Sequence, residues 1–248
     1  MARPLVKTHI RGFDDDVLRG GIPQGHVVLV RGASGTMKSS LAYYVLYHNA
    51  LEGAPGLYVT LEQTAAGLLE HIAGLGLKAT AVSEALPILD LSRGREYLEE
   101  MVAKVGSMAE TAAPRGEALL AVLKAKIFEL RMRRNFRLLA IDSWDALELV
   151  LEFDDRRAET FGFFEWLRDL GVTSLLISEE PALEAPPTAL EEEFLADGII
   201  HLRLEPVTET AFQRRVQCVK MRGTKHNTGY LAMDFDEGRF RVTRAMSS

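Results

Sequence analysis

Gly32-Ala33-Ser34-Gly35-Thr36-Met37-Lys38-Ser39 lies between the apolar run Val27-Val28-Leu29-Val30 and a stretch of helical spacing that reaches about Glu52. A buried strand, a Gly-containing turn and a helix in that order make an anion site. Successive backbone N–H groups turn inward, and the helix N-terminus adds positive potential. A lysine at the end of the turn can reach the β- and γ-phosphates of a nucleotide, and the hydroxyl after it can hold Mg2+. The usual spacing is Gly, four residues, then Gly-Lys-Ser/Thr; here Met37 stands in place of the second glycine. Read alone, the stretch also fits a Gly-rich strand–helix turn with no ligand.

The chain on either side alternates in the same way. Gly56 to Thr60 reads as a strand, Ala65 to Ala73 as a helix and Leu86 to Leu89 as a third strand. Gly94 to Gly106 and Glu117 to Arg134 carry apolar residues at helical spacing. Arg137 to Asp142 is a strand, Ala158 to Leu170 a helix and Val172 to Ser178 another strand. Buried strands alternating with helices predict an α/β fold, a mostly parallel central sheet with helices on both faces. Gly198 to Pro206, Phe212 to Met221 and Leu231 to Val242, with a turn at Glu237-Gly238, read as antiparallel strands added at the sheet edge. Pro181 to Glu193 reads as a loop, so residues 1–248 are expected to form a single domain.

Composition bounds the class. The 248 residues are 47% hydrophobic and 26% charged, ordinary values for a globule that needs no disulfide or structural metal. Cys218 has no second cysteine to pair with and, in an alternating segment, is expected to be a buried structural thiol. The N-terminus lacks a signal-peptide core, and no run of about 18 apolar residues exists. No membrane insertion and a cytoplasmic location are therefore expected. A net charge of −6 weighs against a nucleic-acid partner. The histidines show no His-Glu-x-x-His spacing, so no metal beyond Mg2+ is expected.

Two further strand ends carry carboxylates. Leu138-Leu139-Ala140-Ile141-Asp142 is an apolar strand ending in Asp, suited to anchoring the Mg2+ shell opposite Ser39. Glu62 follows Val59-Thr60-Leu61. In a doubly wound sheet the carboxyl ends of the strands converge on the ligand, which brings Lys38 and Ser39, Glu62 and Asp142 together as one nucleotide site.

With these motifs the chain resembles the KaiC-like branch of the RecA superfamily of P-loop NTPases across nearly its whole length. Phe13-Asp14 through Arg19-Gly20-Gly21-Ile22-Pro23-Gln24-Gly25 is similar to the family's opening segment, and Tyr58 to Thr64 to its catalytic-glutamate strand. Ile141-Asp142-Ser143 matches its Walker B, and Lys220-Met221-Arg222-Gly223-Thr224-Lys225-His226 its Lys-x-Arg-Gly-Thr-x-His element. The resemblance implies a RecA-like fold that binds ATP with Mg2+. By position, Ser34, Gly35, Thr36, Met37, Lys38, Ser39 and Ser40 would cradle the phosphates, with Ser39 and Asp142 serving the metal. Glu62 would orient or deprotonate the attacking water. Lys220 and Arg222, with Thr224 and His226, would reach ATP held by the adjacent subunit of a homo-oligomeric ring, expected to be a hexamer that regulates a protein partner. Without that resemblance, Lys220 and Arg222 read as the solvated face of a strand.

Two departures from the family pattern stand out. Gln63 replaces a second glutamate, and an amide can position a water but cannot take its proton. Met37 is expected to hold helical backbone angles, so that it folds without strain while its side chain crowds the phosphates. Three readings follow. The first is a slow ATPase attenuated by Met37 and Gln63. The second is a non-hydrolysing ATP sensor or scaffold, resembling an archaellum-motor relative that lacks the glutamate. The third is a RecA-type recombinase paralogue, opposed by acidic loops. The segment after the Walker B strand contains Glu148, Glu152, Asp154 and Asp155 against Arg156 and Arg157. The segment Glu179 to Asp197 holds Glu179, Glu180, Glu184, Glu191, Glu192, Glu193 and Asp197 with no Lys or Arg, and would repel a phosphate backbone.

Overall fold

The computed structural model describes residues 3–106, 115–153, 155–180, 191–208 and 210–244. In chain order, β1 (Leu5–Val6), α1 (Phe13–Asp16) and β2 (Ile22–Pro23) come first, the two short strands pairing antiparallel. β3 (Val27–Gly32), α2 (Lys38–Leu51), β4 (Gly56–Thr60), α3 (Ala65–Gly74) and β5 (Ile88–Asp90) keep the expected alternation. α4 (Gly94–Gly106) and α5 (Arg115–Arg134) precede β6 (Leu138–Asp142), α6 (Trp144–Leu151), α7 (Arg156–Asp169) and β7 (Thr173–Glu179). The last described elements are α8 (Glu191–Leu195), β8 (Gly198–Pro206), β9 (Phe212–Met221), β10 (Leu231–Asp236) and β11 (Arg239–Arg244).

A nine-stranded sheet carries the order β11-β10-β9-β8-β3-β7-β6-β4-β5. Successive side chains on a strand point to opposite faces, so the central strands feed two cores. Val28, Val30, Leu138, Ala140, Leu175 and Ile177 pack on the side of α2, whereas Val27, Leu29, Leu139, Ile141 and Leu176 pack on the side of α5, α6 and α7. This double burial is why these strands read as continuous apolar runs. Cys218 belongs to the first core with no exposure, and burial pushes its thiol up to about 12.

Three elements differ from the expectation of the sequence. β8, expected to be antiparallel to the sheet, pairs parallel with β3. β9, β10 and β11 each pair antiparallel with the strand before them, so β9 and β11 run against β3 and β10 runs with it. The chain reaches β8 through α8, a crossover and not a hairpin, and a crossover returns a strand parallel. The segment after β6 begins with α6 in place of a loop. Ser143 accepts a hydrogen bond from Ala146 N–H as its N-cap, and Trp144, Leu147 and Leu151 turn inward at helical spacing. α8 (Glu191–Leu195) likewise stands where a loop is expected, whereas residues 181–190 of that expected loop lie outside the described residues. No helix among the described residues is long and apolar enough to cross a membrane.

Candidate nucleotide site

The phosphate-type loop starts where β3 ends. Gly32 has φ 156°, and a Cβ built there would stand 2.3 Å from the Leu202 carbonyl oxygen, so only glycine allows β8 to approach this closely. The loop then closes on itself: Thr36 Oγ1 donates to the Ala33 carbonyl at 2.8 Å. Met37 precedes α2 with φ 73° and ψ 31°, a left-handed conformation. This overturns the expectation of helical angles and of an unstrained methionine. A non-glycine residue in that region costs about 1 kcal/mol or more. The half-buried side chain packs against the core on the α2 side, which offsets part of the cost, while still bordering the cleft.

That cleft encloses about 490 Å3 over the carboxyl ends of β3, β4, β6 and β7. Lys38 is 8% exposed; its ammonium donates to the Ala33 carbonyl at 3.1 Å and lies 3.8 Å from Glu179. Asp142, 2% exposed at the end of β6, accepts a 2.6 Å hydrogen bond from the Tyr58 hydroxyl. Burial pushes its carboxyl up, hydrogen bonds from Tyr58 and Ser39 pull it back, Glu62 raises it further and Lys38 lowers it; the net direction is up. Tyr58 is raised well above the usual phenol range, first by burial and then by Asp142, so it stays a donor. Glu62 leaves β4 exposed at the rim, where the Ser143 hydroxyl donates to it. The register makes this convergence unavoidable, since Thr60 pairs with Asp142 and Gly32 with Glu179.

Ser34, Gly35, Met37, Lys38, Ser39 and Ser40 line the cleft together with Glu62 and Asp142, whereas Thr36 is buried beneath it. Sequence reasoning missed several neighbours. Ser40 Oγ is 2.9 Å from His71 Nε2 at the end of α3, and Arg214 near the start of β9 points its Nε at the Gly35 carbonyl at 3.5 Å. Both line the cleft. Arg214 left no local signal, because its approach depends on how β8 and β9 are registered (Leu204 opposite Arg214).

Lys220, Arg222, Thr224 and His226 are not in this cleft. Lys220 pairs with Ile199 and Met221 with Gly198, which sits beside Val28 on β3. Val28 and Gly32 are four residues apart, so at ~3.3 Å per residue the cations sit roughly 13 Å down the strand from the loop. There Lys220 Nζ donates to the carbonyls of Glu193 and Phe194 at 3.0 and 3.3 Å. Arg222 donates to Phe194 O at 3.0 Å and to Asp197 at 3.1 Å. Burial, then Arg222, lowers the Lys220 ammonium, with Asp197 opposing. Thr224 Oγ1 donates to Met221 O at 3.2 Å, holding the turn that leads to His226.

The fold and this cleft find counterparts among known proteins. A family model described as "ATPase: KaiC" matches residues 6–246. The chain belongs to the KaiC ATPase family. This KaiC-family chain is 30% identical over 242 residues to the circadian clock protein KaiC2 of Synechocystis, covering 96% of its own length but only 40% of that relative's. It is 32% identical over 222 residues to a UPF0273 protein of Aeropyrum pernix, covering 90% of this chain and 86% of that one. A crystal structure of a KaiC-like protein from Pyrococcus horikoshii superposes with a TM-score of 0.76 at 27% identity, covering 97% and 99% of the two chains. A RecA-like P-loop fold with nucleotide binding follows from that membership.

The acidic segments of the KaiC-family chain are less negative than their composition suggests. Glu192, only 1% exposed, and Glu148 both bond to Arg156, and Glu193 pairs with Arg31. Glu180 bonds to His201 at 3.1 Å, and Asp197 to Arg168 and Arg222. Several of the carboxylates that composition assigns to solvated loops are thus paired within the fold.

Proposed function

We propose that residues 1–248 form one KaiC-like ATP-binding domain that hydrolyses ATP slowly and assembles as a ring with sites shared between subunits, six subunits being expected. The observation that carries this is the convergence of Lys38, Asp142 and a Ser143-tethered Glu62 on one cleft. The cleft volume of about 490 Å3 lies in the range of small-molecule sites. The donor set also fits a nucleotide with its metal. Lys38 is a nearly buried cation with, among the described residues, a carbonyl and a 3.8 Å carboxylate beside it, while Ser39 and Asp142 are within reach of one another.

In this reading Lys38 and the loop amides bind the β- and γ-phosphates, Ser39 and Asp142 hold Mg2+, and Ser143 aims Glu62 at the attacking water. Mg2+, when bound with ATP, neutralises phosphate charge and polarises the transferred phosphoryl group. Glu62 can take the water's proton; Gln63 can only position it. Lys220 and Arg222 lie too far from their own loop to touch its nucleotide, which supports a role on the adjacent subunit's ATP. A cation supplied from outside in this way can contribute about 10³–10⁵ in rate. Met37 and Gln63 attenuate that turnover. Met37 favours and Glu62 opposes the second reading, an ATP-dependent sensor or scaffold without turnover; in either case the partner is a protein and not nucleic acid.

One sample separates the two. Native mass with and without Mg-ATP, followed by phosphate release, should show ATP-dependent assembly and slow release. Assembly with no release above a Lys38→Ala control selects the scaffold. A monomer that hydrolyses ATP at full rate refutes the shared site.

A further inference from the structure

We propose that Tyr58 is a positioning residue for Asp142, its hydroxyl fixing one carboxylate oxygen so that the other is presented towards Ser39 and the divalent cation that accompanies ATP. The proposal rests on the nucleotide-site reading above. Tyr58 pairs with Ala140, and Thr60 with Asp142, so Tyr58 and Asp142 lie on the same face of β4 and β6, one step diagonal from each other. At that offset a tyrosine is long enough to span the gap, and the hydroxyl meets Asp142 Oδ2 at 2.6 Å. The ring is wholly buried between α2 and the sheet, its centroid 5.6 Å from that of Tyr43.

Packing alone does not call for the hydroxyl. Phenylalanine would fill the same space, whereas a buried phenol must find a partner or lose the hydrogen bond it had in water. Here the partner is a carboxylate at the floor of the cleft. Rotation about the last torsion of an aspartate is broad and two-fold, and Lys38, Ser39 and Glu62 all act on this one. Anchoring Oδ2 removes that freedom. Tyr58 therefore acts on the cation through Asp142, and its hydroxyl also lies within hydrogen-bonding reach of Ser39.

The test is Tyr58→Phe, with Mn2+ titrated into the protein–ATP complex and followed by electron paramagnetic resonance. Mn2+ affinity should fall about tenfold, the loss expected for one hydrogen bond to a charged group. ATP binding in EDTA should be unchanged, and kcat should fall more than KM for ATP. In an Asp142→Asn background, Tyr58→Phe should add no further loss of Mn2+ affinity, because the carboxylate it orients is gone. Equal Mn2+ affinity in wild type and Tyr58→Phe overturns the proposal, even if thermal stability drops. So do additive losses in the double variant. Equal ATP affinity in wild type and Lys38→Ala would instead refute the nucleotide site on which the proposal rests.

Discussion

The Lys38 ammonium stands 3.8 Å from a Glu179 carboxylate oxygen at the cleft, brought there by the pairing of Gly32 on β3 with Glu179 on β7. Glu179 is half exposed and carries negative charge beside the loop where phosphates are proposed to sit. It thus competes with the nucleotide for Lys38. Glu179→Gln should tighten ATP binding by about two- to fivefold at low ionic strength, and the gain should shrink as salt screens the exposed charge. Calorimetric titrations at two salt concentrations measure this. Unchanged affinity at low salt would mean that Glu179 does not compete.

Met37 carries the second prediction. Its left-handed backbone removes the helix penalty that a helical Met37 would impose on a glycine replacement. Met37→Gly should relieve about 1 kcal/mol of backbone strain and lose a similar amount of half-buried packing. The melting temperature should therefore move by no more than about 4 °C. With the side chain gone from the cleft wall, ATP should bind more tightly or turn over faster, and Glu62→Ala added to it should return phosphate release to background. No gain in either quantity marks the methionine as a neutral occupant.

The separation of Lys220 and Arg222 from their own loop makes a mixing experiment decisive. Arg222→Ala and Glu62→Gln subunits should each be nearly inactive alone. Mixed rings should recover part of the turnover, because some interfaces combine two intact halves. Absence of recovery in rings shown by native mass to be mixed counts against a shared site.

Asp197 gives a stability prediction. It accepts hydrogen bonds from Val27 N–H at 3.1 Å, Arg168 at 2.9 Å and Arg222 at 3.1 Å. Burial pushes its carboxyl up, but the Arg168 and Val27 hydrogen bonds with the nearby positive charge outweigh it, and the net direction is down. A folded value below the unfolded value of about 3.9 means the stabilisation is complete above about pH 4 and is lost as pH falls through the folded value. Asp197→Asn should cost about 3 kcal/mol at pH 7, and the gap from wild type should narrow towards pH 3. Urea denaturation across that range tests it, and a gap of the same size at pH 3 and pH 7 contradicts it.

The sheet strands and the loop between Gly32 and Ser39 were legible because their signals are local. An apolar run of four, a turn residue and the start of a helical period occupy adjacent positions. α6 was legible too, in the spacing of Trp144, Leu147 and Leu151 behind Ser143, but the expectation of a loop masked it. The parallel course of β8 was not, since strand patterning is the same in either direction.

The residues alone determined an α/β chain with a phosphate-type loop, because burial on both sheet faces and such a loop each demand particular residue types at particular spacings. The likeness to the KaiC family rested on its ordered motifs. Only the tertiary structure decided that Tyr58 reaches Asp142, that Arg214 leans on Gly35 and that Lys220 and Arg222 grip the end of α8 away from their own loop. Those contacts join residues far apart in the chain through strand order and register. A strand's alternation fixes which face it buries, but which strand it lies beside, and so which distant residues meet, is set by the packing of the whole sheet and the helices that cover it.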